Sequence, residues 1–323
     1  MSAHISLSAE VPEDLAGSRL DQIAAKLFPA YSRARLQSWI KDGSLRVNAQ
    51  TLRPRDRLQP GDRIQIEAEL VASEQFIPEP MELEILFEDD EILVLNKAAN
   101  TVVHPAAGHY EGTLLNGLLH AYPALDAIPR AGIVHRLDKD TTGLMVVAKT
   151  LPSHTALVAQ LQQRSVEREY EAVVQGVLTG GGTINKPLGR HPVNRKKRDI
   201  VENGKEAITH YKVIKRYRSH THVQLHLETG RTHQIRVHMA HISHPLVGDP
   251  LYGGRFQLPA ASSEGFSNLL RTFRRQALHA RRLAFVHPAS SEFMAWEVAA
   301  PDDFQQLLVA LKQDQSGVGQ ENE

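Results

Sequence analysis

The segment at residues 135–143, His-Arg-Leu-Asp-Lys-Asp-Thr-Thr-Gly, carries the densest set of reactive side chains in the sequence. It leads directly into an apolar run at residues 144–148, which predicts a buried strand. A polar loop that feeds a buried strand is a common support for catalytic groups, because the strand is rigid and the loop stays accessible. The same composition is also typical of an ordinary polar turn, so this segment alone does not decide between the two.

The aspartates of this loop allow one hydrolytic chemistry. Residues 138–141 have the D-x-D-T form of haloacid-dehalogenase-like phosphatases, in which the first aspartate attacks phosphorus beside a magnesium ion. Those enzymes carry a long apolar strand before the first aspartate and an acidic pair downstream. Here only residues 133–134 form the preceding apolar run, and the nearest downstream candidate, Asp249, has no second acid close by. A magnesium-dependent phosphatase is therefore kept only as an alternative.

The loop resembles the signature loop of the RluA-type pseudouridine synthase family, whose catalytic residue is the aspartate that closes His-Arg-Leu-Asp. Further segments resemble that family in order and spacing: Asn-Lys at 96–97, Val-His-Pro at 103–105, Glu-Tyr-Glu-Ala at 169–172, Thr-Gly-Arg-Thr-His-Gln-Ile-Arg-Val-His at 229–238 and His-Pro-Leu-Val-Gly-Asp at 244–249. The chain departs from the family at Ala98 and Glu206, where proline is usual. The resemblance spans nearly the whole chain and is strongest to the D subgroup, which acts on large-subunit ribosomal RNA.

The resemblance implies roles for four residues. Asp138 would be the catalytic residue, and Arg236 would pair with its carboxylate. Tyr170 would pack on the target uracil, and Arg136 would support a base that is flipped out of the RNA. In the implied reaction the N-glycosidic bond of uridine breaks, the uracil turns, and a carbon–carbon bond forms to the same sugar. This isomerisation involves neither redox change nor net hydrolysis, so no cofactor and no metal are expected. The atom that Asp138 attacks is left open.

The segment around residues 229–242 predicts a helix that begins near His233 with Thr232 as its cap. Its inner face would carry residues at the i, i+4, i+7 spacing, which are Ile235, Met239 and Ile242. The start of this helix would face RNA phosphate. The candidate RNA-contacting residues of this segment are Arg231, His233 and Gln234. Four histidines between positions 233 and 244 do not share one helical face, so they do not predict a metal site.

A separate basic unit precedes the catalytic region. Residues 31–63 contain eight basic and three acidic residues, whereas residues 67–91 contain ten acidic and no basic ones. Residues 16–70 resemble the RNA-binding domain first described in the fourth protein of the small ribosomal subunit. Its candidate RNA contacts are Arg33, Arg35 and Arg46. Such local patches can bind RNA phosphates even though the net charge of the chain is zero.

The chain is expected to divide into four parts. These are an RNA-binding domain at 16–70, a linker at 71–80, a pseudouridine synthase catalytic domain at 81–312 and a disordered tail at 313–323. Strand and helix patterns without regular βαβ alternation predict an α+β fold. The resemblance implies a mixed, largely antiparallel sheet with flanking helices.

Composition narrows the class of protein further. The sequence contains no cysteine, which excludes disulfides, thiolate metal sites and a cysteine nucleophile. It shows neither a signal peptide nor an apolar run of the roughly 20 residues that span a bilayer. We therefore expect a cytoplasmic monomer whose partner is ribosomal RNA, free or within pre-ribosomal particles. An RNA-binding assembly factor without catalysis is the rival interpretation, but the presence of Asp138, Tyr170 and Arg236 argues against it.

Overall fold

The computed structural model describes residues 3–29, 31, 33–70, 76–105 and 110–317. The chain divides into two compact units, Met1–Gln75 and Phe76–Glu323. No helix within the described ranges has the length and apolar composition of a membrane span.

The first unit is a small antiparallel sheet with two helices. Its elements are β1 (Ala3–Glu10), a 3₁₀ helix (Glu13–Leu15), α1 (Leu20–Leu27), α2 (Arg33–Asp42), β2 (Leu45–Val47) and β3 (Arg63–Leu70). The strand order is β1-β3-β2. Leu20 and Ile23 of α1, Leu36 and Ile40 of α2, and Ile64 of β3 are fully buried in one apolar core.

This unit begins earlier than residue 16, the start predicted from the sequence. β1 pairs with β3 along its full length, so residues from Ala3 onward belong to the same sheet. The segment alternates apolar residues with serines, a weak strand signal without flanking turn residues. Its strand conformation depends on pairing with β3, which lies far away in the sequence. The boundary at residue 16, which came from the resemblance, therefore leaves out β1.

The second unit is built on a large mixed sheet. Its described strands are β4 (Glu84–Glu88), β5 (Ile92–Lys97), β6 (Thr142–Ala148), β7 (Glu167–Gln175), β8 (Gly182–Asn185), β11 (Ile208–Arg216), β12 (His220–Leu227), β13 (Leu278–Val286) and β14 (Phe293–Glu297). A separate ribbon pairs β9 (Leu188–Arg190) with β10 (Arg198–Ile200). The order is β4-β5-β6-β13-β7-β12-β11-β8, and β14 also pairs with β13. β6 and β13 are parallel, and the other neighbours are antiparallel. The predicted α+β, largely antiparallel fold is confirmed.

Helices cover both faces of this sheet. They are α3 (Leu114–Ala121), α4 (Leu151–Gln162), α5 (Gln234–His241), α6 (Glu264–Thr272) and α7 (Asp302–Gly317), with 3₁₀ helices at Pro123–Ala127 and Pro129–Gly132. α3 and α5 share an apolar cluster with Leu93 and Leu95 of β5. α4 shares another with Ile92 and Val94 of the same strand. Because β5 and β6 are covered on both faces, their sequences are apolar runs rather than alternations.

The predicted linker and tail differ from the structure. Residues 71–75 lie outside the described part, and residues 76–80 pack within the second unit, where Asn116 Nδ2 donates to Ile77 O at 2.8 Å. α7 continues to Gly317, so the prediction of disorder from residue 313 is wrong up to that point. The helix is extended by an ion pair in which Arg218 donates to Asp314 through Nε (3.0 Å) and Nη2 (2.8 Å). Residues 318–323 lie outside the described part.

Gly143, at the junction of the 135–143 loop and β6, is expected to tolerate no side chain. Its φ is +113°, and an added Cβ would lie 2.2 Å from the carbonyl oxygen of Ala280 on the parallel strand β13. We expect Gly143→Ala to lower the free energy of unfolding by about 3 kcal/mol, measured by urea denaturation. Gly265→Ala is the matched control, because this glycine lies in α6 with open space around it. The control should be neutral or stabilising by up to about 1 kcal/mol, and equal losses in both variants would contradict the steric argument.

Candidate active site

Buried cations hold the backbone of the 135–143 loop. Lys97, at the end of β5 and 2% exposed, donates from Nζ to Lys139 O (2.9 Å), Ala98 O (2.8 Å) and Thr101 O (3.0 Å). These three acceptors use every donor of an ammonium group. Arg275 Nη1 donates to Asp140 O at 3.3 Å, and Asp138 O accepts the turn hydrogen bond from Thr141 N at 3.0 Å. The backbone carbonyl groups of residues 138–140 are therefore held by hydrogen bonds. None of these bonds uses the side chain of Asp138.

Lys97 gives a testable dependence of stability on pH. Burial lowers the pKa of Lys97 from 10.5 to about 7, although Asp140 and Asp138 oppose that shift. Between these two values the unfolded chain binds a proton that the folded chain has lost, so the free energy of unfolding rises with pH. We expect wild type to gain about 4 kcal/mol relative to Lys97→Met across this window. Urea denaturation of both proteins across the window measures it, and parallel pH profiles would exclude a shifted Lys97.

The side chain of Asp138 is paired with Arg236 from α5. Arg236 Nη1 donates to Asp138 Oδ2 at 2.9 Å, while its Nε and Nη2 donate to Asp249 Oδ2 (2.7 Å) and Oδ1 (2.9 Å). The Arg236 side chain is 5% exposed and that of Asp249 is 0% exposed. Burial would raise the pKa of Asp249, but the hydrogen bonds and charge of Arg236 lower it below its usual range. One planar guanidinium thus bridges a buried acid and an acid that faces the cavity.

His233 lies beside this pair in a conformation that the sequence does not reveal. It is the residue before α5 and has a φ of +59° without a side-chain cap, so Thr232 does not cap the helix as predicted. His233 Nε2 lies 3.9 Å from Asp138 Oδ1, and its Nδ1 is 2.8 Å from the Tyr252 hydroxyl. Burial is the main cause that lowers the pKa of His233, which keeps the ring neutral near neutral pH. His233 is therefore placed at the carboxylate, not at an exposed phosphate-binding helix end.

Gln234, a predicted RNA contact, makes most of its hydrogen bonds within the protein. It is 3% exposed, and its amide joins the loop before α5 to strand β11. Its Oε1 accepts from Thr229 Oγ1 (2.8 Å) and from Arg231 N (3.0 Å). Its Nε2 donates to Ile208 O at 2.9 Å. These hydrogen bonds join the loop before α5 to β11 and engage most of the polar atoms of the Gln234 amide within the protein.

Asp138 and Tyr170 line one cavity of about 700 Å³. Tyr170 lies on β7, is 6% exposed, and burial raises the pKa of its phenol, which therefore stays neutral. The predicted residues that line this cavity are Asp138, Tyr170, Arg136, Arg231, His233, Gln234 and Arg236. Its other charged side chains are Arg130, Arg164, Arg168 and Glu228. Arginines therefore outnumber carboxylates around the cavity, as expected for a site that receives a polyanion.

The sequence analysis assigned no role in this site to Arg168, which lines the cavity, and did not identify Asp249 as the buried partner of Arg236. A feature of the sequence could have identified each of these two residues. Arg168 is two residues before Tyr170 and so shares its face of β7. Asp249 closes the 244–249 segment that already resembled the family.

The basic candidates of the first unit are described separately. Arg46 is exposed on β2 and its Nε donates to Gly43 O at 3.0 Å. The Arg35 guanidinium lies 6.0 Å from the centre of the Trp39 ring. The side chain of Arg33 lies outside the described part of the structure.

Similarity to known proteins agrees with this site. Residues 91–241 match the family model described as RNA pseudouridylate synthase, and residues 18–64 match the S4 domain. The chain is 59% identical over 314 residues to "Ribosomal large subunit pseudouridine synthase D" of Pseudomonas aeruginosa, covering 97% of this chain and 98% of that protein. It is 50% identical over 315 residues to the protein of the same name from Escherichia coli strain K12, covering 97% of each. The chain belongs to the RNA pseudouridine synthase family.

Solved structures of the family share the fold of this pseudouridine synthase. "Human RNA Pseudouridylate Synthase Domain Containing 4" superposes with a TM-score of 0.56 and 26% identity, covering 71% of this chain and 93% of that one. "Human RNA Pseudouridylate Synthase Domain Containing 1" gives a TM-score of 0.53 and 26% identity, covering 75% and 96%.

The magnesium phosphatase alternative finds no support in the geometry of this synthase. Both carboxylate oxygens of Asp249, its downstream acid, accept from Arg236, and Oδ1 also accepts from Leu251 N (2.8 Å) and Tyr252 N (3.0 Å). A carboxylate whose lone pairs are used in this way is a poor metal ligand. Within the described ranges, no three His, Asp or Glu side chains are grouped so that they could hold a metal ion.

Proposed function

We propose that this chain converts uridines of large-subunit ribosomal RNA to pseudouridine, with Asp138 as the nucleophile. The observation that carries the proposal is the Asp138–Arg236 pair inside a basic cavity whose wall includes Tyr170. The relatives named for the large ribosomal subunit supply the substrate class. The resemblance to the D subgroup points further, to several uridines in the intersubunit stem-loop of 23S RNA.

In this proposal each side chain of the site has a task in the reaction. A cavity of about 700 Å³ accommodates a flipped nucleotide, which must leave its stack at a cost of a few kcal/mol. Arg136 is exposed on the loop, where it would contact the RNA helix from which the base has left. Tyr170 offers its ring face to the uracil, and a flat neutral surface accepts the base before and after it turns. This tolerance suits an isomerisation in which one ring must bind in two orientations.

The two carboxylate oxygens of Asp138 are not equivalent. Oδ2 is engaged by Arg236, whereas Oδ1 accepts no hydrogen bond from any described residue and lies 3.9 Å from His233 Nε2. We therefore assign the attack to Oδ1. Because burial lowers the pKa of His233 and keeps its ring neutral, His233 places no positive charge next to Oδ1. A free, partly desolvated carboxylate oxygen is a stronger nucleophile than one that is fully solvated.

The proposal is tested with unmodified large-subunit ribosomal RNA that carries tritium at carbon five of uracil. A pseudouridine synthase exchanges this hydrogen when the carbon–carbon bond forms, so tritium release without added metal is expected. Pseudouridine mapping in ribosomal RNA from a strain lacking the gene, with and without the restored gene, identifies the sites. An RNA-binding assembly factor would bind the RNA and release no tritium, and a phosphatase would release phosphate only with magnesium.

The first unit is expected to contribute RNA affinity. Because Arg46 is exposed and basic, Arg46→Ala should weaken RNA binding and reduce the slope of log affinity against log salt by about one. The turnover rate at saturating RNA should stay unchanged. Lys212→Ala is the matched control, since Lys212 is also exposed but lies on β11 of the second unit. Filter binding over a salt series measures both variants, and equal slopes for wild type and Arg46→Ala would exclude a phosphate contact at Arg46.

A further inference from the structure

Arg168 is a buried cation at the inner wall of the cavity. It is 7% exposed and lies on β7 two residues before Tyr170, so both side chains extend from the same face of the strand. Both line the cavity. Any base that packs on Tyr170 therefore lies beside the Arg168 guanidinium.

The charge of Arg168 is not neutralised by the protein. Among the described residues it has no acidic partner, and its Nε is buried without a hydrogen-bond acceptor. Its Nη2 reaches Glu228 O only at 3.4 Å, at the weak end of the hydrogen-bond range. The Glu228 carboxylate is directed elsewhere, to His210 Nε2 (2.6 Å) and Arg164 Nη1 (3.3 Å). An unpaired guanidinium in this setting lowers stability unless a ligand provides its acceptor.

The surroundings of Arg168 are built to hold a cation. A Cβ on Gly230 would lie 2.6 Å from Arg168 Nη1, so the absence of a side chain there makes room for the guanidinium. His135 accepts a hydrogen bond from Val146 N through Nε2 at 3.1 Å. Burial, with a smaller contribution from Arg168, lowers the pKa of His135 to about 3, so this ring adds no second charge. The protein therefore leaves room for the Arg168 guanidinium and provides no acceptor for its Nε among the described residues.

The position of Arg168 favours a base over a phosphate. Arg136 and Arg231 also line the cavity but are exposed, as suits contacts with the RNA backbone outside. Arg168 is nearly inaccessible from bulk solvent, and a flipped nucleotide enters such a site with its base first. The group that arrives beside Tyr170 and Arg168 is then the uracil ring, whose acceptors are the carbonyl oxygens O2 and O4.

We propose that Arg168 donates hydrogen bonds to a carbonyl oxygen of the flipped uracil and stabilises the charge that the ring carries once it is detached. This inference rests on the proposed function. When the N1–C1′ bond breaks, Asp138 Oδ1 bonds to C1′, the N1–C1′ bonding pair stays on the uracil, and its negative charge is shared with O2 and O4. When C5 bonds to C1′, the bond from C1′ to Asp138 breaks and returns the carboxylate, after which C5 releases its proton and N1 takes one up. Electrons and protons therefore balance without an added reactant.

The turn of the ring preserves this contact. Rotation about the axis through N3 and C6 exchanges N1 with C5 and also exchanges O2 with O4. A donor that faces one carbonyl before the turn faces the other carbonyl after it. Arg168 can therefore hold the ring in both orientations, and it disfavours cytosine, whose amino group would place a donor against a donor.

Sulfur substitution in the substrate tests the contact, because sulfur accepts hydrogen bonds poorly. Target RNAs carry uridine, 2-thiouridine or 4-thiouridine at the modified position, and single-turnover rates at saturating enzyme are read by nucleoside chromatography. Arg168→Met should slow conversion of uridine by about 100-fold. It should also lower the uridine-to-thiouridine rate ratio about tenfold relative to wild type. Arg168→Lys, which keeps a donor, should retain part of the rate and of the sulfur effect.

Controls separate this role from a structural one. Arg164→Met removes an arginine that also lines the cavity but is already paired with Glu206 and Glu228, and it should leave the rate ratio unchanged. The free energy of unfolding of Arg168→Met should hold or rise, since an unpaired buried charge is removed. An unchanged rate ratio, or a loss confined to RNA affinity as for a phosphate contact, would overturn this inference alone. Failure of wild type to convert uridine would overturn the proposed function as well.

Discussion

Asp138→Asn is expected to lower the rate of pseudouridine formation by about 10⁴-fold or more while the protein stays folded and binds RNA. The amide lacks the negative charge needed to form a covalent intermediate, but it has nearly the same shape. It also retains an oxygen that can accept from Arg236 Nη1 at the position that Asp138 Oδ2 now occupies. Arg236 keeps both of its hydrogen bonds to Asp249, so the loss of charge at Asp138 does not leave this buried guanidinium without an acidic partner.

Tritium release measures the loss of chemistry, and filter binding with urea denaturation confirms that binding and folding persist. Glu228→Gln is the matched control, because Glu228 is the other carboxylate that lines the cavity. Its amide has nearly the same shape and keeps one oxygen that can accept from Arg164 Nη1, so the rate should stay within about threefold. A rate for Asp138→Asn within tenfold of wild type would remove Asp138 as the nucleophile. Equal losses in both variants would mean that the charge of the cavity matters and not a particular carboxylate.

The sequence predicts those parts of the site that depend on local pattern or on a long motif match. The loop around Asp138, its exit into β6 and the buried face of α5 follow from polarity and spacing over short segments. The association of Asp138 with Arg236, separated by nearly a hundred residues, came from the resemblance and not from periodicity. No local pattern relates two side chains at that separation.

The residues that were missed or misplaced depend on contacts distant in sequence. Gln234 is buried because β11 presents the Ile208 carbonyl to the start of α5. α7 extends past residue 313 because Asp314 pairs with Arg218, which lies 96 residues earlier in the sequence. His233 adopts a left-handed conformation that non-glycine residues rarely take, so no propensity rule would assign it. In each case a tertiary contact decides a conformation that the local sequence leaves open.

Removal of Arg236 is expected to affect stability and chemistry together. Arg236→Met leaves the Asp249 carboxylate, whose side chain is 0% exposed, without its bidentate partner. An unpaired buried charge costs about 3–5 kcal/mol, so the free energy of unfolding should fall by that amount. Asp138 Oδ2 also loses its donor, and the rate of pseudouridine formation should fall at least about 100-fold. Arg236→Lys should rescue neither fully, because one ammonium cannot reproduce three bonds directed by a planar fork to two acids.

A double variant separates the two effects of Arg236. Asp249→Asn removes the buried negative charge but keeps an oxygen that can accept from Leu251 N and Tyr252 N. Added to Arg236→Met, it should restore much of the lost stability, because residue 249 then carries no unpaired charge. It should restore no activity, since Asp138 still lacks its guanidinium. Urea denaturation and single-turnover tritium release on wild type, both single variants and the double variant form a double-mutant cycle. Recovery of activity together with stability would mean that Arg236 acts only by supporting the fold, whereas recovery of stability alone assigns it to the chemistry of Asp138.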